Sequence, residues 1–144
     1  MGFKQKRSMN KEKHDRIRLL RLALVAGLVL LIGATAPQDW ELLGARTVKH
    51  SLDRDEITVT VREGTFRRIK LKVRHTRVTF RKVLVHYGDG GVQEVELRLQ
   101  IPAGGETRAI DLKGGRRVIR KVVFWYNTPQ SKRRKAVVQL FGLQ

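Results

Sequence analysis

Cysteine is absent from this sequence of 144 residues. Its absence excludes disulfides, thiolate metal ligands, a cysteine nucleophile and a lipid-modified N-terminal cysteine. Stability must therefore come from packing, and about a hundred residues can bury a core that is sufficient without cross-links. The length allows one such domain and excludes a second.

Patterns that would indicate catalysis or a metal site are also missing. The four histidines show no ligand spacing, and there is no nucleophile elbow and no phosphate-binding loop before a helix. An acidic cluster at residues 53–56 offers oxygen ligands for calcium but lacks the glycine and the ligand number of a calcium loop. No pattern selects two carboxylates for glycoside hydrolysis. We therefore expect a protein that is not an enzyme and that has no cofactor or metal.

Acidic residues are scarce, with 13 Asp and Glu against 31 Lys and Arg, which gives a formal net charge of +18. Such an excess favours anionic partners such as nucleic acid, anionic lipid or acidic polysaccharide. Beyond residue 36 the chain retains 23 basic and 11 acidic residues, so the excess belongs to the domain itself.

Residues 1–36 have the pattern of an export signal. Eight basic residues fall within the first 21, and residues 22–36 carry no charge and end in a small-x-small triplet. Cleavage between Ala36 and Pro37 would give a periplasmic or secreted protein, but proline after the cut opposes the peptidase. Residues 17–36 would otherwise remain as an inner-membrane anchor, with the domain outside the cytoplasm.

From Trp40 onward, apolar residues recur with a period of two, which is typical of strands. Strand segments are predicted at residues 40–48, 57–61, 69–73, 78–87, 95–101, 108–112, 118–126 and 136–141, with glycine-rich turn signals between several of them. A shift of phase at Arg81 and Lys82 predicts a β-bulge. About eight short strands predict an all-β fold over residues 37–144, a single antiparallel β-sandwich or jelly-roll-like domain.

Four cations alternate along residues 68–74 and would project from one face at intervals of about 6.6–7 Å. A hairpin at residues 75–76 would bring two further arginines to that face, and a second basic run occupies residues 132–135. The candidate polyanion-binding residues are Arg68, Lys70, Lys72, Arg74, Arg77, Arg81, Lys132, Arg133, Arg134 and Lys135. The alternative is a solvated sheet face and a solvated loop, where cations only discourage edge pairing.

Residues 122–126 are apolar on both faces, unlike the other segments. A central strand covered on each side would explain this pattern, and so would an aromatic platform on which a sugar or base stacks against Trp125. The core interpretation is the one we expect. A lectin-like carbohydrate-binding module that uses Trp125 and Tyr126 with bound calcium is the alternative.

Several segments resemble an uncharacterised bacterial family of small exported proteins, a domain of unknown function. They are WELLG at residues 40–44, GGETRAIDL at 104–112, RVIRKV at 117–122, FWY at 124–126 and LFG at 140–142. The resemblance implies export and an all-β fold, and it carries no catalytic residues to transfer. The basic N-terminal extension and Pro37 depart from the family's ordinary cleaved signal.

These observations predict a non-enzymatic module of the cell envelope whose basic sheet face contacts an anionic envelope polymer, lipid headgroups or an acidic protein partner. The contact would be electrostatic and sensitive to salt. The alternatives are the lectin-like module and an accessory subunit of an envelope complex. Nucleic acid is the least expected partner in the cell, because the hydrophobic segment would remove the domain from the cytoplasm, where nucleic acid is found.

Overall fold

Alternating apolar and polar residues form nine strands in the computed structural model, which describes residues 37–49, 53–60, 63–129 and 134–144. The strands are β1 (Glu41–Thr47), β2 (Asp53–Thr58), β3 (Arg68–Arg74), β4 (Val78–Tyr87), β5 (Val92–Val95), β6 (Leu99–Ile101), β7 (Ile110–Asp111), β8 (Ile119–Asn127) and β9 (Val137–Leu143). The predicted signal or anchor at residues 1–36 lies outside the described residues. Within the described ranges, no helix is long and apolar enough to cross a membrane.

The nine strands form two antiparallel sheets. Sheet A has the order β1-β9-β3-β7, and sheet B has the order β2-β8-β4-β5, with β6 following β5 along the same edge of β4. The prediction of an all-β, two-layered fold is confirmed. The ninth strand arises because the strand predicted at residues 95–101 is interrupted at residues 96–98.

The core lies between the two sheets and contains every second residue of the long strands. Ile69, Leu71 and Val73 of β3 are fully buried, as the alternating pattern predicts. Phe124 and Tyr126 of β8 are also fully buried, and their ring centroids are 5.7 Å apart. Tyr126 therefore belongs to the core, as the core interpretation expects, and its ring is not available to a sugar as the lectin-like alternative requires.

The predicted β-bulge in β4 is confirmed. Phe80 lies opposite Tyr126 and Lys82 lies opposite Trp125, so Arg81 is the extra residue in the pairing with β8. Arg81 is exposed and Lys82 is half-buried, whereas the residues on either side of this pair are buried. The bulge therefore sends two consecutive cations to the outer face of sheet B.

The predicted hairpin at residues 75–76 is wrong, because β3 belongs to sheet A and β4 to sheet B. His75 has a φ of 71°, and the turn carries the chain from one layer to the other. The physical reason is that both edges of β3 are already paired. One edge pairs with β9, and the other pairs with residues 104–112, which we call the edge segment.

The edge segment follows β3 through backbone hydrogen bonds along its length. The Gly104 N–H donates to the Val73 carbonyl at 2.8 Å, and the Thr107 N–H donates to the Leu71 carbonyl at 2.8 Å. The Leu71 N–H in turn donates to Oγ1 of Thr107 at 3.1 Å. The GGETRAIDL segment is therefore a sheet edge, and the Thr107 side chain supplements the backbone pairing with β3.

Candidate functional site

The four cations of β3 alternate with buried residues, so they project from the outer face of sheet A as predicted. Two of them are neutralised by carboxylates of the edge segment. Arg68 Nε lies 2.7 Å from Asp111 Oδ1, and Lys70 Nζ lies 3.1 Å from Glu106 Oε1. The first half of this cationic row is therefore a set of ion pairs within sheet A.

Lys70 has a further structural role on this face. Its ammonium group lies 4.6 Å from the ring centroid of Trp40 and 5.8 Å from that of Phe141. The Lys70 side chain is only 16% exposed. A cation held between two aromatic rings and a carboxylate is poorly placed to contact a ligand.

The second half of the row continues into a group of exposed or half-buried cations at one end of sheet A. Arg74 lies opposite Val137 in β9, and the Thr76 hydroxyl donates to the Arg134 carbonyl at 2.9 Å. These contacts place the chain around residues 74–76 beside residues 134–137, and we call the cations of this region the end cluster: Lys72, Arg74, Arg77, Arg134 and Lys135. Among the described residues, none of the five has a carboxylate within 4.0 Å. Lys132 and Arg133, which were predicted with them, lie outside the described residues.

Arg81 lies on the other sheet and faces a different set of residues. It lines a surface cavity of about 670 Å³ together with Asp53, Arg54, Lys82 and Trp125, which we call the Trp125 pocket. The Arg54 guanidinium carbon lies 5.4 Å and the Lys82 nitrogen 5.7 Å from the indole centroid. The prediction that Arg81 adds to the β3 row is therefore wrong, because the strand that carries it joins sheet B.

Ion pairs flank the Trp125 pocket. Lys82 Nζ lies 3.4 Å from Glu94 Oε2, and Arg54 lies 3.8 Å from Glu56. Glu56 also accepts a hydrogen bond of 3.0 Å from Lys121, and this bond lowers the pKa of its carboxyl group. Arg81 has no carboxylate partner within the part of the chain that the structure describes, so it is the pocket's free cation.

Arg117 is fixed at the far end of the sandwich. Its guanidinium group stacks 3.9 Å from the ring centroid of Tyr87 and lies 2.6 Å from Asp89. A hydrogen bond from the Gly91 N–H, followed by the Arg117 charge, lowers the pKa of Asp89. Burial raises the pKa of Tyr87 against the opposing effect of Arg117. A cavity of about 550 Å³ lies here, lined by Arg117 and by the exposed Arg116 and Arg120. Arg117 is paired with Asp89, whereas Arg116 and Arg120 have no carboxylate within 4.0 Å among the described residues.

The carboxylates of the acidic cluster at residues 53–56 do not point toward a common metal ion site. Asp55 points inward, where Tyr126 donates to it at 2.9 Å and Arg46 Nε donates at 2.8 Å. Glu56 points outward to Lys121. In the described ranges, no three His, Cys, Asp or Glu residues form a group that could hold a metal ion. The calcium alternative therefore has no site in this cluster.

The Trp125 pocket is the feature that the sequence alone did not reveal. The sequence marks Trp125 as a possible platform and Arg81 as a candidate anion ligand beside the β3 row, but it does not bring the two together. The phase shift at residues 81–82 was the available signal, because a bulge turns both side chains outward. Only the pairing of β4 with β8 shows that these cations lie next to the indole.

The comparisons with known proteins give one family and one distant structural likeness. The family model described as a domain of unknown function (DUF2541) matches residues 22–142. The crystal structure of the SPBc2 prophage-derived protein YomS is similar at a TM-score of 0.38 and 15% identity, over 74% of this chain and 93% of that one. No curated protein matches the sequence.

Proposed function

Since this chain belongs to the DUF2541 family, a domain of unknown function, we propose from its own residues that it is a non-enzymatic binding module of the bacterial cell envelope. Its ligand is an anionic polymer, and the end cluster is the surface that holds it. The basic and then apolar pattern of residues 1–36 supports export.

The observation that supports this proposal is that no carboxylate of the described residues lies within 4.0 Å of an end-cluster cation. Glu106 lies opposite Lys72 across the sheet, but its ion pair is with Lys70. Arg68 and Lys70 are each paired with an acid, whereas the five cations at the other end of β3 have none within 4.0 Å. Unpaired cations at the end of β3 and in the segments that precede β4 and β9 attract a chain of negative charges, and no internal ion pair must first be broken.

Strand geometry also suits an extended ligand. Lys72 and Arg74 are two residues apart on one face of β3, which separates them by about 6.6–7 Å. Arg77 and Arg134 extend the positive surface beyond the end of the strand. Binding would be mainly electrostatic, so the affinity would fall steeply as the salt concentration rises and salt ions screen the contacts.

The test is binding of the full chain, kept in a neutral detergent, to immobilised heparin and to soluble polyphosphate at low and raised NaCl. We expect binding at low salt, and we expect the double variant Arg74→Glu, Arg77→Glu to lose about tenfold or more in affinity. The matched control is Arg67→Glu, Lys113→Glu, which makes the same change of net charge with two exposed residues beyond the other end of β3. The control should lose much less affinity.

Two results would overturn the proposal. One is no binding to either polyanion at low salt, and the other is an equal loss in the two double variants, which would show an effect of net charge alone. Binding to vesicles that contain phosphatidylglycerol, without binding to heparin or polyphosphate, would show that the ligand is lipid headgroups and not a polymer.

A further inference from the structure

We propose that the Trp125 pocket on sheet B is a second, separate binding site, and that its ligand is an acidic saccharide. A carboxylate or phosphate group of the sugar lies against Arg81, and the apolar face of the sugar ring lies against the exposed part of the indole. The site is on the opposite sheet from the end cluster and uses different residues.

The β-bulge is the first observation that supports this site. A regular strand would send Arg81 and Lys82 to opposite faces, but the extra residue turns both outward beside Trp125. On the other side of β4, the edge strand is interrupted at residues 96–98. Arg81 also lines two cavities on that side, one of them together with Glu94 and Glu96.

The exposure of the indole is the second observation. Phe124 and Tyr126 are fully buried, whereas Trp125 between them is half-buried on the outer face. Arg54 and Lys82 reach the ring from the strands on either side, so the aromatic surface and the charges are held together before a ligand arrives. A cavity of about 670 Å³ is within the size range of small-ligand sites.

The charges around the indole determine the class of ligand. The pocket is lined by three cations and one carboxylate, Asp53, so it carries a net positive charge. Lys82 and Arg54 have carboxylates nearby, which leaves Arg81 to bind an anion, and a guanidinium group can bind a carboxylate or phosphate through two hydrogen bonds. An aromatic surface beside one free arginine fits a ring that carries a single negative group better than a densely charged polymer.

The experiment uses the fluorescence of Trp125 in the full chain. The sequence has two tryptophans, so the variant Trp40→Phe leaves Trp125 as the only one. This variant is titrated with a short oligogalacturonate, with glucose 6-phosphate, with the neutral galactose oligomer of equal length and with oligothymidylate. We expect a saturable change with at least one acidic saccharide and none with the neutral oligomer.

Substitution of the free arginine is the decisive comparison. In the same background, Arg81→Gln should weaken binding of the acidic saccharide about tenfold or more, since a charge-assisted contact is lost. The control Arg108→Gln removes an exposed cation from the edge segment on sheet A and should leave the titration unchanged. The Arg74→Glu, Arg77→Glu variant should also leave it unchanged, which separates this site from the polymer-binding proposal.

Three results would overturn the inference. They are no saturable change with either acidic saccharide at millimolar concentration, equal binding of the acidic and neutral sugars, and equal effects of the Arg81 and Arg108 substitutions. Tighter binding of oligothymidylate than of both acidic saccharides would assign the pocket to single-stranded nucleic acid instead.

Discussion

At the scale of single residues, Gly142 of β9 and Gly44 of β1 are the two glycines whose backbones approach a buried side chain most closely among the described residues. A Cβ atom at Gly142 would lie 2.6 Å from Cδ1 of Phe66 and 2.8 Å from Cδ1 of Leu43. Both neighbours are buried side chains that have little room to move. The terminal LFG segment therefore requires glycine for packing and not for a turn.

We predict that Gly142→Ala lowers the free energy of unfolding by about 1–3 kcal/mol, because the added methyl group overpacks the core. Urea denaturation followed by far-UV circular dichroism measures the change. Gln139→Ala, a half-buried position in the same strand, is the control and should stay within about 0.5 kcal/mol of the parent. An unchanged midpoint for Gly142→Ala would show that β9 can shift away from Phe66.

Tyr126 joins the two sheets through its hydroxyl group. It donates to Asp55 at 2.9 Å and accepts from the Lys49 N–H at 3.0 Å, and Asp55 also accepts from Arg46 of β1. Burial, followed by the adjacent Asp55, raises the pKa of Tyr126. The protonated phenol is therefore the form that the fold stabilises.

Because the pKa of Tyr126 is raised in the folded state, its contribution to stability is complete below the ordinary tyrosine pKa of about 10 and is lost as the pH rises above it. We predict that Tyr126→Phe costs about 1–3 kcal/mol near neutral pH, since Asp55 loses a buried partner. Above about pH 10 the difference in the free energy of unfolding between parent and variant should become smaller. Urea denaturation at several pH values measures this difference. A constant difference would contradict this account.

At the scale of strands, the sequence was sufficient where the information is local. Alternation in β3 and β4 predicted the buried faces, and a single shift of phase predicted the bulge at Arg81. Partners could not be predicted in the same way, since β3 pairs with β9 and with the edge segment, both distant in sequence. A local hairpin was the natural expectation at residues 75–76, but the edges of β3 were already taken.

The edge segment also controls how much of the charge on β3 is free. We predict that Glu106→Gln, Asp111→Asn increases the NaCl concentration needed to elute the chain from heparin, because Lys70 and Arg68 lose their carboxylate partners. Stability should change by no more than about 1 kcal/mol, since both substituted carboxylates are exposed and ion pairs at the surface contribute little. Asp53→Asn, Glu96→Gln on the side of the other sheet is the control with the same change of net charge, since neither acid belongs to an ion pair among the described residues. Equal shifts in both variants would contradict a local effect.

At the scale of the whole molecule, basic residues outnumber the acidic residues that could neutralise them. The chain beyond residue 36 has 23 basic and 11 acidic residues, and seven ion pairs join residues that the structure describes. Composition predicted this excess, but it could not predict which cations have partners. Whether a cation is paired or unpaired depends on which carboxylates the two sheets bring to its face.

Repulsion among the unpaired cations should therefore outweigh the attraction within the exposed ion pairs. We predict that the midpoint of thermal unfolding rises by a few degrees when NaCl increases from low to physiological concentration, since salt screens repulsion over about 8–10 Å. The rise should be larger in Glu106→Gln, Asp111→Asn, which removes two acids, and smaller in Arg74→Glu, Arg77→Glu, which lowers the repulsion at the end cluster. Circular dichroism at matched protein concentration measures all three midpoints. A midpoint that falls with salt would mean that the ion pairs dominate, and the end cluster would then lack the unbalanced charge that the proposed polymer contact requires.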